Sequence, residues 1–488
     1  MPRNLRPLSL QTAWPQWLGS ATRALSGRGA RAPVIANRER ASAPSRPALP
    51  LRALRKPVAA RAVMRLMEQL RHGRLEVHWP DGSIGHYGQK NELGGSEGAT
   101  QAGFDQSVGE GGAPADTNSP PENATDLPLA PSARVDLANW NVCGAALKKG
   151  DIGFAETYLD GDWRTDDLAA LLDIMVRNRT AIEAVVYGSW WGRLVSRMRR
   201  LGRANTKAGS RRNVEAHYDL GNDFYSLWLD PTMTYSSALF DKRDAAQPAQ
   251  SLAQAQVAKY RKLLGELAIT GSDPSVLEIG CGWGGFAEVA ARETRASVKG
   301  LTLSREQWAH AQERLASAGL ADRAHFALQD YRDENGQYDA IASIEMFEAV
   351  GEAYWPSYFE CLKRNLKPGG RACVQSITID DDLFEPYRKS ADFIQTYVFP
   401  GGMLPSVSAF TRLAERHGFK VVNQLAFGAD YAKTLRLWRQ AFEERLGAVR
   451  ALGFDDRFIR LWSFYLCYCE AAFSNGNTDV VQFTLEHA

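Results

Sequence analysis

The sequence predicts an α/β protein: a doubly wound, mostly parallel sheet of seven strands, preceded by a small α+β domain. Three observations carry this. From Ser275 onward, short apolar runs alternate with helical patterns. A glycine-rich turn follows the first of those runs and leads into a helix. Further upstream, an alternating apolar–polar stretch surrounds an Asp-Gly turn.

Taken in order, residues 1–62 hold twelve Arg or Lys and one acid, Glu39, among many Ala, Ser and Pro. Such a composition suits a basic disordered tail or a targeting segment. Residues 63–183 are expected to form the small α+β domain. Its hairpin is "GRLEVHWPDGSIGHYG" (73–88), and its helices are read from apolar spacing at 140–147 and 168–175. Within it, residues 91–133 carry seven acids and no Arg or Lys, the signature of a flexible acidic linker. Residues 184–212 hold eight Arg or Lys, no acid, and an apolar face that includes Trp190 and Trp191. That pattern suits either an anionic membrane surface or docking between domains.

The main domain is expected over 213–488. Its strands are read at "SVLEIGC", "ASVKGLTLS", "AHFALQD", "YDAIASIEMF", "RACVQSITI", "FKVVNQLAF" and "DVVQFTLEH". The first ends in Glu278-x-Gly280-x-Gly282, where glycines let the backbone turn tightly and a ligand approach it. A dinucleotide site would place an acid at the end of the second strand. This chain has "GLTLS" there, with Thr302, Ser304 and Gln307.

Totals narrow the function. A net charge of +2 gives no field for nucleic acid. The six cysteines form no CxxC pair, so neither a metal site nor a disulfide framework is expected, and a reducing, cytoplasmic setting follows. No apolar run is long enough to span a bilayer.

Six segments then occur in order: "HYDLGNDFYSLWLDPTMTYSSALF", "VLEIGCGWGG", "GLTLSREQ", "SIEMFEAVG", "FPGGMLPS" and "DYAKTLRLW". Together they resemble the cyclopropane-fatty-acyl-phospholipid synthase and mycolic acid cyclopropane synthase family, within the class I S-adenosylmethionine (SAM)-dependent methyltransferases. The resemblance implies a Rossmann-like sheet covered by a helical lid, with SAM as cofactor. It places Tyr235 and Ser236 over the methionine end, Glu278, Gly280 and Gly282 along the loop, Thr302 and Gln307 near the ribose and adenosine, and Tyr331 against the adenine. Membrane phospholipid with unsaturated acyl chains is the implied partner, at an anionic surface, for an enzyme peripheral to the membrane. A homodimer is a further expectation, and nucleic acid is not a partner.

The implied chemistry needs close alignment of the sulfonium with a double bond, because an alkene has no proton for a base to remove beforehand. Aromatic faces steady the cation that results, with Tyr235, Phe240, Tyr397, Phe399, Tyr431 and Tyr465 as candidates. A base then removes a proton from the new methyl group. In the family that base is thought to be bicarbonate held by a Cys, a Glu, a His, a backbone amide and a Tyr. The matching positions here are Ser237, Glu348, Gln375, Ile377 and Tyr431. Ser237 and Gln375 replace the Cys and His, and Glu345 and Ala349 replace the Gly and His that flank "MFE". A carboxylate at 345 that points inward would repel a bound anion. Glu345 or Glu348 would then serve as the base directly, and a methyl-branched product becomes an alternative to the ring. A class I methyltransferase for an amine or other small polar acceptor is the competing reading. A non-catalytic membrane-binding relic is a third, opposed by the intact Glu278, Gly280, Gly282 and Glu348.

Overall fold

The computed structural model describes residues 56–89, 130–186, 220–241 and 249–488. Most of the basic segment 1–62, nearly all of the acidic stretch 91–133, most of the basic Trp-rich stretch 184–212, and 213–219 with His217 lie outside the described residues.

The first part is a four-stranded sheet in the order β2-β1-β3-β4, from Ile84–Gly88, Arg74–His78, Ser132–Leu137 and Trp163–Thr165. β1 and β2 are the hairpin read from the sequence, and β3 joins β1 in parallel. Helices Asn141–Lys149, α1 (Asp151–Leu159) and α2 (Leu168–Arg177) pack on this sheet. Trp163 is its centre, stacked on Phe154 at 4.4 Å between ring centroids.

Asn178, just past α2, satisfies four backbone groups. Its Oδ1 accepts from the Arg71 and His72 N–H groups at 2.7 and 3.1 Å. Its Nδ2 donates to the His72 and Ile174 carbonyls, both at 2.8 Å. Asn178→Leu would leave those groups, the Ile174 carbonyl buried and the others partly so, unpaired by the side chain. The expected cost is about 2–4 kcal/mol, read as a lower midpoint in denaturant titration.

The second part is a seven-stranded sheet in the order β10-β11-β9-β8-β5-β6-β7. Its strands are β5 (Ser275–Ile279), β6 (Ser297–Thr302), β7 (Ala324–Leu328), β8 (Tyr338–Ile344), β9 (Leu366–Ile379), β10 (Phe419–Ala426) and β11 (Thr478–His487). β7, β6, β5, β8 and β9 run parallel, while β11 lies antiparallel between β9 and β10. The order reverses between β5 and β8, so a cleft opens at the carboxyl ends of those two strands. Helix α3 (Leu252–Leu267) packs beside the sheet, its start fixed by a Ser251–Gln254 capping box. Helix α4 (Gly285–Glu293) follows the glycine turn.

The two parts do not have separate cores. One apolar cluster runs from Leu75 and Trp163 through Phe224 and Trp228 to Trp438 and Trp462. The last two stand on α5 (Gly428–Glu444) and α6 (Asp456–Ser474). Arg460 on α6 donates to the Leu159 carbonyl at 2.9 Å, and Asn475 to Asp173 at 2.5 Å. Within the described lid residues 220–241, Asn222–Ser226 forms a helix, and Pro231 with a run of Thr and Ser favours turns and extended backbone in the remainder.

Candidate active site

The glycine turn sits at the switch point, at the end of β5. Gly280, Gly282 and Gly284 have φ of 84°, 51° and 82°, a region that side chains with a Cβ rarely adopt. A Cβ added at Gly282 would meet nothing within 4 Å, so this edge of the turn faces open space. Glu278 is buried beside it. Burial holds its pKa well above the usual range, against the opposing charges of Lys259 and Arg314. Its Oε2 has no hydrogen-bond partner among the described residues. A cradle of bare backbone with an unanswered buried acceptor fits a cationic, hydrogen-bonding ligand such as SAM. Thr302 and Gln307 lie next to it, buried and joined to each other by a 2.8 Å hydrogen bond. Tyr331 stands just beyond β7 with its ring edge-on to Tyr358 at 5.7 Å, within the core cluster that also contains Met346 and Phe347.

The segment 220–241 covers this cradle. Asn222 accepts from the Trp283 indole N–H at 2.7 Å, tying the lid to the glycine turn. α3 grips Ser236 twice: Gln256 donates to its carbonyl at 2.8 Å, and the Lys259 ammonium to its hydroxyl at 2.5 Å. α5 holds the next stretch, where the Ala238 and Phe240 N–H groups donate to Thr434 and Asp430 at 3.2 and 3.0 Å. Gln256, Lys259, Asp430 and Thr434 were not among the residues expected from the sequence. Their signal was there as polar side chains at helical spacing on otherwise apolar faces of α3 and α5.

Tyr235 carries an aromatic wall. Its ring lies 5.4–5.5 Å from those of Tyr225, Trp228 and Trp438, and its hydroxyl meets that of Tyr465 at 2.8 Å. Tyr431 and Phe399 adjoin this wall through Trp438 and Tyr465. The other two aromatic candidates point elsewhere. Phe240 belongs to a small separate cluster, with the Lys433 ammonium 3.9 Å from its ring centre. Tyr397 donates to Glu156 of α1 at 2.9 Å.

At the carboxyl end of β8 the chain places Glu345 with φ of 49°, which turns its carboxylate inward. Three donors converge on it. The Ser237 N–H and the Gln375 amide reach Oε1, each at 2.8 Å, and the Tyr431 hydroxyl reaches Oε2 at 2.7 Å. Ser237 acts through its backbone, since its hydroxyl donates to the Ala238 carbonyl. Gln375 is itself held by Gln482 of β11. The Ile377 N–H donates to Glu348 Oε1. The donors expected to hold bicarbonate are thus all engaged by two carboxylates of the chain itself, and a separate anion does not fit this arrangement.

Burial raises the pKa of both carboxyls, but unequally. Glu345 is raised by burial and drawn back by the Lys259 charge and its three donors. Glu348, with burial and the Glu345 charge both acting on it, is pushed up to about 8. Of the pair, Glu348 is the one that burial and a neighbouring charge both push toward the protonated form, while the Lys259 charge and three donors favour the ionised form of Glu345.

A seven-stranded sheet with this switch-point glycine turn, covered by a lid, defines a class I SAM-dependent methyltransferase. The family described as mycolic acid cyclopropane synthetase matches residues 205–483. The chain belongs to it. It is 38% identical over 343 residues to the tuberculostearic acid methyltransferase of Mycobacterium tuberculosis, covering 69% of this chain and 79% of that one. It is 36% identical over 343 residues to the cyclopropane-fatty-acyl-phospholipid synthase of Escherichia coli, covering 70% and 84%. Among solved structures, a mycolic acid cyclopropane synthase complexed with SAH and CTAB superposes with a TM-score of 0.52 at 34% identity. That match covers 56% of this chain and 97% of the other. No helix among the described residues is long and apolar enough to cross a membrane.

Proposed function

We propose that this SAM-dependent enzyme delivers a one-carbon unit to the double bond of unsaturated acyl chains in membrane phospholipid, with the Glu345 carboxylate as its base. The observation that carries the reading is the convergence of Ser237, Gln375 and Tyr431 on Glu345. The names of the relatives support the acyl-chain acceptor. A small polar acceptor is disfavoured by the aromatic wall of Tyr235, Trp228 and Trp438 beside the cradle.

Glu278, Gly280, Gly282, Thr302, Gln307 and the lid residues Tyr235 and Ser236 would hold SAM, which when bound supplies an electrophilic methyl group. The electron pair of the alkene forms the new carbon–carbon bond as the bond from that methyl carbon to sulfur breaks, its pair leaving with the now neutral thioether, and the neighbouring carbon becomes cationic. The half-buried Tyr235 ring, backed by the buried Trp228 and Trp438, gives that charge a favourable surface while the closed lid excludes water. Glu345 then takes a proton from the new methyl group. The released C–H pair either closes the ring onto the cationic carbon or, where a hydride shift has first moved the cation to the methyl-bearing carbon, forms a methylene branch on the chain. Glu348, protonated and fixed by the Ile377 N–H, keeps a second negative charge away from Glu345.

The test is mass spectrometry of lipids from a host without its own synthase, expressing this chain and fed methionine with a deuterated methyl group. Unsaturated phospholipid chains are expected to gain one carbon that retains two of its three deuterons. Bound SAM with no labelled lipid would overturn the acceptor. The rate should also follow a bell in pH. It falls toward acid as Glu345 protonates, and toward alkali as Glu348 ionises near its value of about 8. Initial rates across the pH range check this.

A further inference from the structure

Lys259 is a fully buried ammonium that the chemistry above does not use. It stands on the buried face of α3 between Gln256 and Leu263. Its Nζ lies 2.5 Å from the Ser236 hydroxyl, and the next residue, Ser237, donates its N–H to Glu345. The groups around it come from four elements. The lid brings Asp230, the end of β5 brings Glu278, and the end of β8 brings Glu345. Its neighbour Tyr260 lies under it, with 4.5 Å from the ammonium to the ring centre. Arg314 is the second cation of the cluster, acting on Glu278 and Tyr260 from the helix Arg305–Ser317.

We propose that Lys259 is a positioning residue for the transfer: it fixes Ser236 over the cofactor cradle and supplies the positive charge that keeps Glu345 ionised. The second half rests on the reading of Glu345 as the base. A buried cation would be driven off its proton unless carboxylates answered it, and a buried carboxylate likewise. Here each supplies what the other lacks, across a single peptide unit of the lid. Burial lowers the Lys259 pKa to about 7, with Glu345 first among the charges that oppose the fall. The alkaline loss of rate thus begins as Lys259 gives up its proton and is completed as Glu348 ionises. Lid closure and base ionisation therefore share one side chain. A lid that swings away takes Ser236 from Lys259 and the Ser237 N–H from Glu345 together.

The test compares the full-length chain with Lys259→Gln, Lys259→Met and Glu345→Gln. SAM affinity is read by calorimetry, and kcat is followed across pH on vesicles of unsaturated phospholipid. Lys259→Gln retains a donor for Ser236, so SAM affinity should stay close to the parent. Its kcat at neutral pH should fall on the order of tenfold, with the acid limb moved to higher pH. Lys259→Met should show the same limb and, in addition, weaken SAM on the order of tenfold. Should the Met variant fail to fold, Lys259→Gln decides the charge role, and Ser236→Ala, expected to weaken SAM by a similar factor in the same calorimetry, decides the Ser236 role. An unchanged pH profile and kcat in Lys259→Gln would overturn the charge role, and unchanged SAM affinity in folded Lys259→Met would overturn the Ser236 role. Failure of the underlying reading looks different: Glu345→Gln would then turn over like the parent while Lys259→Met still loosened SAM.

Discussion

Glu345→Gln is expected to lower lipid turnover by about 10²–10⁴, the usual worth of a general base, while SAM still binds. The amide keeps the shape of the carboxylate but takes no proton, and it sets an NH2 group against the donors that now point at Glu345. Transfer of labelled methyl to phospholipid reads the loss, and calorimetry with SAM alone confirms an intact cradle. Glu345→Gly makes the contrast. It removes the side chain from a backbone with φ of 49°, which glycine adopts at no steric cost. It also releases the Ser237 N–H, the Gln375 amide and the Tyr431 hydroxyl. Activity in that variant should depend on added bicarbonate, whereas the parent should be indifferent to it. Bicarbonate dependence in the parent would remove Glu345 from the role of base.

The second large effect belongs to the glycine turn. In Gly280→Val, the new Cβ would lie 2.8 and 2.9 Å from Cγ and Cβ of Met346, at a backbone φ of 84°. The left-handed backbone alone costs about 1–2 kcal/mol. The clash adds more, because Met346 is fixed between Glu345 and the buried Phe347. The shift has two consequences. The cradle narrows where the ligand approaches, and Met346, the neighbour of Glu345 in the chain, must give way. SAM affinity should fall by about a hundredfold or more, roughly 3 kcal/mol, and the denaturation midpoint should drop with it. Gly282→Ala is the control. Its Cβ meets no protein atom within 4 Å, so the protein should lose less stability than with Val at 280, while SAM still feels the added methyl.

The seven strands were legible because each is a short apolar run between helical patterns, and a sheet covered on both faces demands such runs. The glycine turn and the lid were legible as motifs. What the sequence leaves open is direction. Glu345 was visible as a departure, but whether it points in depends on one backbone torsion. Ser237 was expected to act through its side chain, in a position where a Cys is usual, and instead contributes its N–H. Tyr397 looked like part of the site because of its position in the chain. The packing of α1 against the segment 393–397 turns it to Glu156. Lys259 escaped notice because a lysine on a helix normally marks the wet side. Only its four-residue spacing from Ala255 and Leu263, both fully buried, hinted otherwise.

The reversed strand β11 has a consequence for how the enzyme comes into being. It follows both β9 and β10 in the sequence, yet it lies between them in the sheet, and its Gln482 steadies Gln375 beneath Glu345. A ribosome delivers β5 through β9 long before this strand emerges. Until it does, β9 has an open edge and Gln375 lacks that partner. Nascent chains therefore pass through a stage with the cofactor turn already made and the proton-accepting pocket incomplete. Activity requires this later strand to be in place, and a cell making this protein must shelter one unpaired strand edge until then.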